Sequence, residues 1–330
     1  MLLETFKAFN DFELLDTGDG FRLERWGEAA PRTLRHPAQG AAGAIATGTG
    51  VVLARPDPQI IWGKSLADEE WDKAWAVYKS ADDDGKGRWE IKKPMPNPWT
   101  VAFDPHPGPL PKGEGATKFL LKLSPFKHTG LFAEQAAQWE WILEKITRPK
   151  NQEPKKNQIP NLKILNLFAY TGGATMVLAK AGCNVTHVDA SKPAITWANE
   201  NHKLNNLPAD SVRWILDDCA KFVKRELKRG AKYDGIIMDP PAFGHSPTGK
   251  TWKFNNDLPG LLKDCVQLLS NNAKFLIING YATNSSALAL NNLLQDAVQL
   301  KHGSIEFGEL CLKQKSGLMI STGIFARWSK

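Results

Sequence analysis

From residue 163 onward, short apolar runs alternate with segments whose apolar residues recur every three or four positions. The runs predict strands at 163–169, 184–189, 212–216, 233–238 and 273–279. The periodic segments predict helices at 172–181, 192–204, 219–229, 258–269 and 285–299. Strands that are apolar at every position are buried on both faces. Alternating strand and helix therefore predicts an α/β fold, a doubly wound and mostly parallel sheet. Two β-like runs, "IEFGELCLK" and "LMISTGIFARW", close the chain with no helix between them and predict an antiparallel edge hairpin. Ahead of the sheet, "EQAAQWEWILEKI" reads as a helix and "RPKNQEPKKNQIPN" as a linker.

The first 124 residues have another texture. "FELLDTGDGFRLERWG" predicts a hairpin around Gly-Asp-Gly, and "VVLARPDPQIIWG" an extended segment whose prolines confine it to an edge or a strand end. "EEWDKAWAVYKSA" spaces Trp71, Trp75 and Tyr78 as a helix would. "AQGAAGAIATGTG" and "DPHPGPLPKGEG" predict loops. The expectation is a small β-rich module over 1–124 and a larger α/β domain over 125–330.

Composition narrows the function. A chain of 330 residues exceeds what one core usually serves, which agrees with two domains. Its apolar and charged shares, 42% and 23%, are those of a globular protein. No apolar run is long enough to span a bilayer, and the N-terminus lacks the pattern of a signal peptide. Cys183, Cys219, Cys265 and Cys311 are too scattered for a zinc site and suit a reducing cytoplasm. The net charge of +7 is compatible with a nucleic-acid partner. Much of its excess sits in residues 145–163 and in "KFVKRELKRGAK"; the plainer reading of the second stretch is a solvated helix face.

In a parallel sheet, ligands sit beyond the carboxyl ends of the strands, so those tips read as one site. "FAYTGGA" places Gly172 and Gly173 where a ligand can approach the backbone and the first amides of a helix. It is neither GxGxxG nor a P-loop. Asp189, at the next tip, has the reach to hold ribose hydroxyls, or it caps a helix as Ser191 also could. NAD and S-adenosylmethionine both fit these two tips. "LDDCA" adds Asp217 and Asp218, again caps or acceptors for an adenine amine. "MDPPAF" then sets Asp239 ahead of two prolines that remove amide donors and stiffen the loop. The acceptors left there, with Phe243 as a flat wall, suit a planar group bearing N–H donors, and hydride transfer has no need of them.

"LNLFAYTGGATMVLAKAG", "VTHVDASKPAITWANENHKLNN" and "DGIIMDPPAF" resemble class I S-adenosylmethionine-dependent methyltransferases, and more narrowly the bacterial 23S ribosomal RNA methyltransferase group. "KHTGLFAEQAAQW" is similar to that group's stretch before the cofactor domain. The likeness covers about 125–330; earlier, only "RLERWG" and "RPDPQIIW" echo it. It implies a Rossmann-like domain and S-adenosyl-L-methionine as cofactor. Phe168, Tyr170, Thr171, Gly172 and Gly173 would line its methionine and ribose parts. Asp189 would hold the ribose, Ala190 and Ser191 would flank the adenine, and Asp217 and Asp218 would meet its edge. Gln135 would touch the cofactor from the N-terminal side, and Asp239 would lie near the transferred methyl. Asp239, Pro240 and Phe243 are the expected catalytic residues. His245, Lys250 and Trp252 are candidates for substrate contact, or else form a lid without chemistry.

One departure shapes the chemistry. Cytosine-C5 members of the group carry a nucleophilic cysteine after the fifth sheet strand, where this chain reads "IINGYATNSS". Direct transfer to a nitrogen of an RNA base is therefore expected, without a covalent intermediate. The alternative acceptors are a protein side chain or a small molecule.

Overall fold

The computed structural model describes residues 1–27, 50–80, 87–105, 115–146, 161–245, 251–298 and 302–330. The small-residue tract at 38–49, the core of "DPHPGPLPKGEG", the linker and Lys250 lie outside them. The chain forms two compact units. One holds 1–6, 134–311 and 321–330, the other 7–133 and 312–320.

The chain enters through β1 (Leu2–Glu4), which belongs to the first unit. The second unit follows with β2 (Phe12–Gly18), β3 (Phe21–Trp26), β4 (Val51–Pro56), α1 (Asp68–Trp71), β5 (Ala76–Ser80) and β6 (Gly87–Ile91). Its five-stranded sheet runs β2-β3-β4-β5-β6. β7 (Trp99–Phe103) and β8 (Thr117–Leu121) form a separate antiparallel pair. The β2–β3 hairpin turns at Asp19 and Gly20, both at positive φ, as the Gly-Asp-Gly run predicts. Pro56 ends β4, where its missing amide costs no ladder bond. The expected helix over "EEWDKAWAVYKSA" is corrected. Only Asp68–Trp71 is helical, and Tyr78 sits in β5. Ala74, Ala76 and Tyr78 are all 0% exposed, the alternation of a half-buried strand, and it overrides the helical spacing of the aromatics.

The first unit resumes after a 3₁₀ turn (Ala133–Gln135) with α2 (Ala136–Ile146), β9 (Lys163–Leu167), α3 (Gly173–Lys180), β10 (Asn184–Asp189), α4 (Lys192–Leu204), β11 (Val212–Leu216), α5 (Cys219–Lys228) and β12 (Gly235–Met238). A small hairpin, β13 (Phe243–His245) with β14 (Thr251–Lys253), precedes α6 (Phe254–Leu268), β15 (Phe275–Gly280), α7 (Ala287–Val298), β16 (Ser304–Lys313) and β17 (Met319–Ser329). The eight strands are ordered β1-β16-β17-β15-β12-β9-β10-β11. β9 pairs in parallel with β10 and β12, and β12 with β15, while β17 is antiparallel to β15. The outermost strand on that side is β1, parallel to β16.

The sheet explains its own sequence. Leu165, Leu167, Ile236, Met238, Leu276 and Ile278 pack on one face with Phe222, Leu258 and Leu262. Their neighbours Ile164, Ile237 and Ile277 pack on the other with Trp141, Ile142 and Leu178. Helices cover both faces, so the runs are apolar throughout. The chain winds outward from β9 to β11 and then returns to β12 on the other side of β9. That reversal is the switch point where a parallel sheet opens a crevice. Among the described residues, no helix is long and apolar enough to cross a membrane.

Candidate active site

The loop after β9 departs from ordinary backbone. Phe168 (φ 56°) and Tyr170 (φ 50°) adopt left-handed conformations, as does Gly172 (φ 84°), the N-cap of α3. Left-handed backbone is costly for aromatic residues, and strain of this kind gathers at ligand sites. Neighbouring groups hold the loop in place. The Phe168 amide donates to Cys219 Sγ (3.3 Å), Ala169 N to Val188 O (3.1 Å) and Asn201 Nδ2 to Thr171 O (3.0 Å). Beneath it, Asn166 Nδ2 donates to Thr175 Oγ1 (2.9 Å), which lies 3.0 Å from His187 Nδ1. Burial pushes His187 down to about 3, so this support is uncharged. A β-carbon at Gly172 would come within 3.2 Å of Met176 and 3.3 Å of Ala198, so glycine suits both the φ and the space. Gly173 opens α3, whose first amides lack partners within the helix.

Asp189 ends β10 and is partly exposed. Its Oδ2 accepts from Tyr170 N (2.8 Å) and its Oδ1 from Ser191 N (2.8 Å). Burial nevertheless raises its carboxyl above the usual range, against the lowering effect of those amides. Ser191, not Asp189, caps α4, accepting from Ala194 N (3.4 Å). Ala190 beside it is exposed. Asp218 caps α5 through Lys221 N (2.9 Å), while Asp217 accepts from Asp218 N (2.8 Å) and pairs with Arg225. Asp218 thus caps the helix, as the alternative reading of this pair expects, while Asp217 is held by a side chain of that helix and does not cap it.

The Asp-Pro-Pro corner follows β12. Asp239 N donates to Leu167 O (3.4 Å), which sets the corner beside the strained loop. Asp239 is partly exposed, and Gln135 Nε2 donates to its Oδ2 (3.2 Å). Burial first, then the Glu134 carboxylate, push Asp239 up to about 7. Pro240 is buried, and Phe243 stands 72% exposed at the start of the hairpin. Across that hairpin Phe243 pairs with Lys253, also exposed, and Gly244 with Trp252. Trp252 packs on Phe168 (ring centroids 5.3 Å apart) and donates through Nε1 to Pro241 O (2.8 Å). It thereby ties the corner to the loop. His245 lies in β13, but its side chain is outside what the structure describes.

All four cysteines are free and buried, and burial pushes each thiol up. Each is kept from the thiolate form a nucleophile needs. Glu134, Gln138, Asn279 and Arg327 were not singled out from the sequence. Gln138, three residues after Gln135 on a helical run, carried a usable signal, since that spacing puts both on one face.

The family model for S-adenosylmethionine-dependent methyltransferases matches residues 113–307. The chain belongs to that family. S-adenosylmethionine is its cofactor, and the left-handed loop, the opening of α3 and the partly exposed Asp189 form a donor and acceptor set that fits it. The crystal structure of a SAM-dependent methyltransferase from Agrobacterium tumefaciens is 32% identical, with a TM-score of 0.82 over 100% of this chain and 93% of that one. Another structure, of a protein assigned as a methyltransferase and complexed with SAH, shares the fold at 16% identity (TM-score 0.64, 98% and 76% covered). Curated relatives include the ribosomal RNA large subunit methyltransferase K/L of Shewanella frigidimarina. It is 31% identical over 192 residues, which are 57% of this chain and 25% of that one. The same protein of Legionella pneumophila is 29% identical over 186 residues, 56% and 23%. The chain thus matches about a quarter of the length of these relatives.

Proposed function

We propose that this methyltransferase acts on a nitrogen of an RNA base, with ribosomal RNA as the substrate class. The observation that carries the reading is the Asp239 corner. A raised carboxylate, partly open to solvent, is followed four residues on by an exposed aromatic ring in a chain whose thiols are all buried. Bound S-adenosylmethionine would supply an electrophilic methyl on its sulfonium. It would be held by Phe168, Tyr170, Thr171, Gly172 and Gly173, by Asp189 at the ribose, and by Ala190, Ser191, Asp217 and Asp218 around the adenine. Gln135 is proposed to act there through Asp239. Asp239 and the Pro240 carbonyl would accept N–H bonds from an exocyclic amine and aim its lone pair, while Phe243 stacks on the base. Such catalysis is mainly positioning, and a carboxylate near neutrality is suited to take the proton released as the new N–C bond forms.

RNA as the partner is supported by the names of the curated relatives over the matched region and by the basic charge. A cytoplasmic location is part of the proposal and accords with the free cysteines. The test is tritium transfer from labelled cofactor into total RNA of a strain lacking the protein, followed by nucleoside mass spectrometry. A methylated base in ribosomal RNA is expected. Label that stays out of every RNA fraction, or enters protein or small metabolites instead, overturns the RNA assignment.

A further inference from the structure

Behind Asp239 lies a chain of side-chain hydrogen bonds within the first unit. Gln135 Nε2 donates to Asp239 Oδ2 (3.2 Å). Asn279 Nδ2 donates to Gln135 Oε1 (3.1 Å), and Gln138 Nε2 to Asn279 Oδ1 (3.1 Å). Arg327 Nη1 donates to Gln138 Oε1 (3.1 Å). The arginine is anchored in turn on Glu306 (2.8 Å from Nε) and Glu4 (2.8 Å from Nη2), over the ring of Trp141. Asn279, Gln138 and Arg327 are 3%, 2% and 2% exposed.

The direction of this chain is forced. A primary amide can face either way, since one end donates and the other accepts. A guanidinium only donates. Arg327 therefore turns the Gln138 oxygen toward itself and the Gln138 nitrogen toward Asn279. Asn279 must then accept from Gln138 and donate to Gln135, and Gln135 must aim its nitrogen at Asp239. Burial makes the opposite order expensive, because it would set donor against donor at Arg327.

We infer that Arg327, Gln138 and Asn279 are positioning residues that fix the Gln135 amide with its donor toward Asp239 and so set the state of the carboxylate at the methyl-transfer corner. The methyl-transfer consequence rests on the function proposed above; the relay itself does not. The donor favours the ionised carboxylate, against burial and the Glu134 charge from the same turn. On the flanking strands, Leu167 accepts from Asp239 N and Asn279 follows the residue paired with Met238; neither is ionisable.

The test replaces a residue two links away. In Gln138→Glu the new carboxylate accepts from Arg327 and from Asn279. Asn279 then turns its oxygen to Gln135, and Gln135 turns its own to Asp239. In Gln138→Met no charge is added and the amides lose their imposed direction. Carboxyl ¹³C NMR follows Asp239, with Asp239→Asn assigning the signal. The midpoint is expected to rise by about one unit or more in Gln138→Glu, and by less in Gln138→Met. In the unaltered protein, the Gln135 side-chain N–H signals should move as Asp239 titrates. The acid limb of methyl transfer should shift upward in step with the carboxyl midpoint. An unmoved midpoint in either folded variant, or Gln135 signals indifferent to that titration, overturns the relay. Titrations that behave as expected in a protein that transfers no methyl to RNA would uphold the relay and remove only the substrate assignment.

Discussion

Two carboxylates, one in each unit, are drawn from water in opposite ways. Glu24, in the β-rich unit, is 0% exposed. Arg55 holds it at 2.8 and 2.9 Å, Arg22 at 3.0 Å, and Trp26 Nε1 donates at 3.2 Å. Burial alone would raise it, yet the two guanidinium charges and these bonds leave it below the usual glutamate range. Among the described residues, Asp239 has one neutral side-chain donor and a like charge nearby, and it rises to about 7. Glu24 is answered in full by the protein, as a structural ion pair must be. Asp239 is answered in part, which leaves it able to change state and to accept a further donor.

If Glu24 is purely structural, removing its charge should damage folding most. Glu24→Gln leaves Arg22 and Arg55 buried against an amide, a loss of about 3–5 kcal/mol. Urea unfolding of the full chain would measure it. Because the folded value of Glu24 is depressed, its stabilisation is present above the ordinary glutamate value and is lost as pH falls through the folded value. The wild type should therefore weaken in acid, with the difference between wild type and variant shrinking. A variant as stable as the wild type would break the comparison at its first limb.

Asp189 stands between the two cases. It has two backbone donors yet remains raised and partly exposed. Asp189→Ala is expected to cost about 3 kcal/mol of cofactor binding, roughly a hundredfold, by titration calorimetry. Unchanged affinity would place it with Glu24 as scaffold.

Asp239 offers the reverse sign. Its folded value of about 7 exceeds the ordinary 3.8. Between those values the unfolded chain binds fewer protons than the folded one, so stability falls as pH rises through the window. Asp239→Asn removes that loss. The variant should be more stable than the wild type at pH 8, by about 2 kcal/mol after discounting for partial exposure, and should lose the advantage below about pH 4. The same substitution should abolish methyl transfer. Melting curves at both pH values and one activity assay check the pair of outcomes.

How far these features could be read in the sequence depends on the range of the interactions behind them. The parallel strands were plain because both faces are buried, and Leu165 and Ile164 look alike although they point oppositely. The tips were readable because each follows its strand directly. Trp71, Trp75 and Tyr78 misled because three aromatics satisfy a helical period by chance, while the alternation of Ala74, Ala76 and Tyr78 became visible only once β5 had partners. The relay from Arg327 to Asp239 had no local sign. Its links join residues 189, 141, 144 and 104 positions apart, and single glutamines and asparagines carry no period. For the same reason, strand pattern alone did not join β1 to β16, at the far end of the chain.

The smallest expected effect separates two duties that one side chain can hold. Asp218 caps α5 in the structure and is proposed to meet the adenine edge. Asp218→Ala should lose about 1 kcal/mol of stability with the cap. It should also weaken cofactor binding if the second duty is real. Asp218→Ser keeps an N-cap oxygen within reach of Lys221 N but is shorter and uncharged. It should restore the melting temperature and leave the affinity low. Should serine restore both, Asp218 is a cap alone and belongs with Glu24 among the carboxylates whose partners are all within the fold. Should it restore stability only, the charge at 218 is reserved for a donor that the folded chain does not provide, as at Asp239.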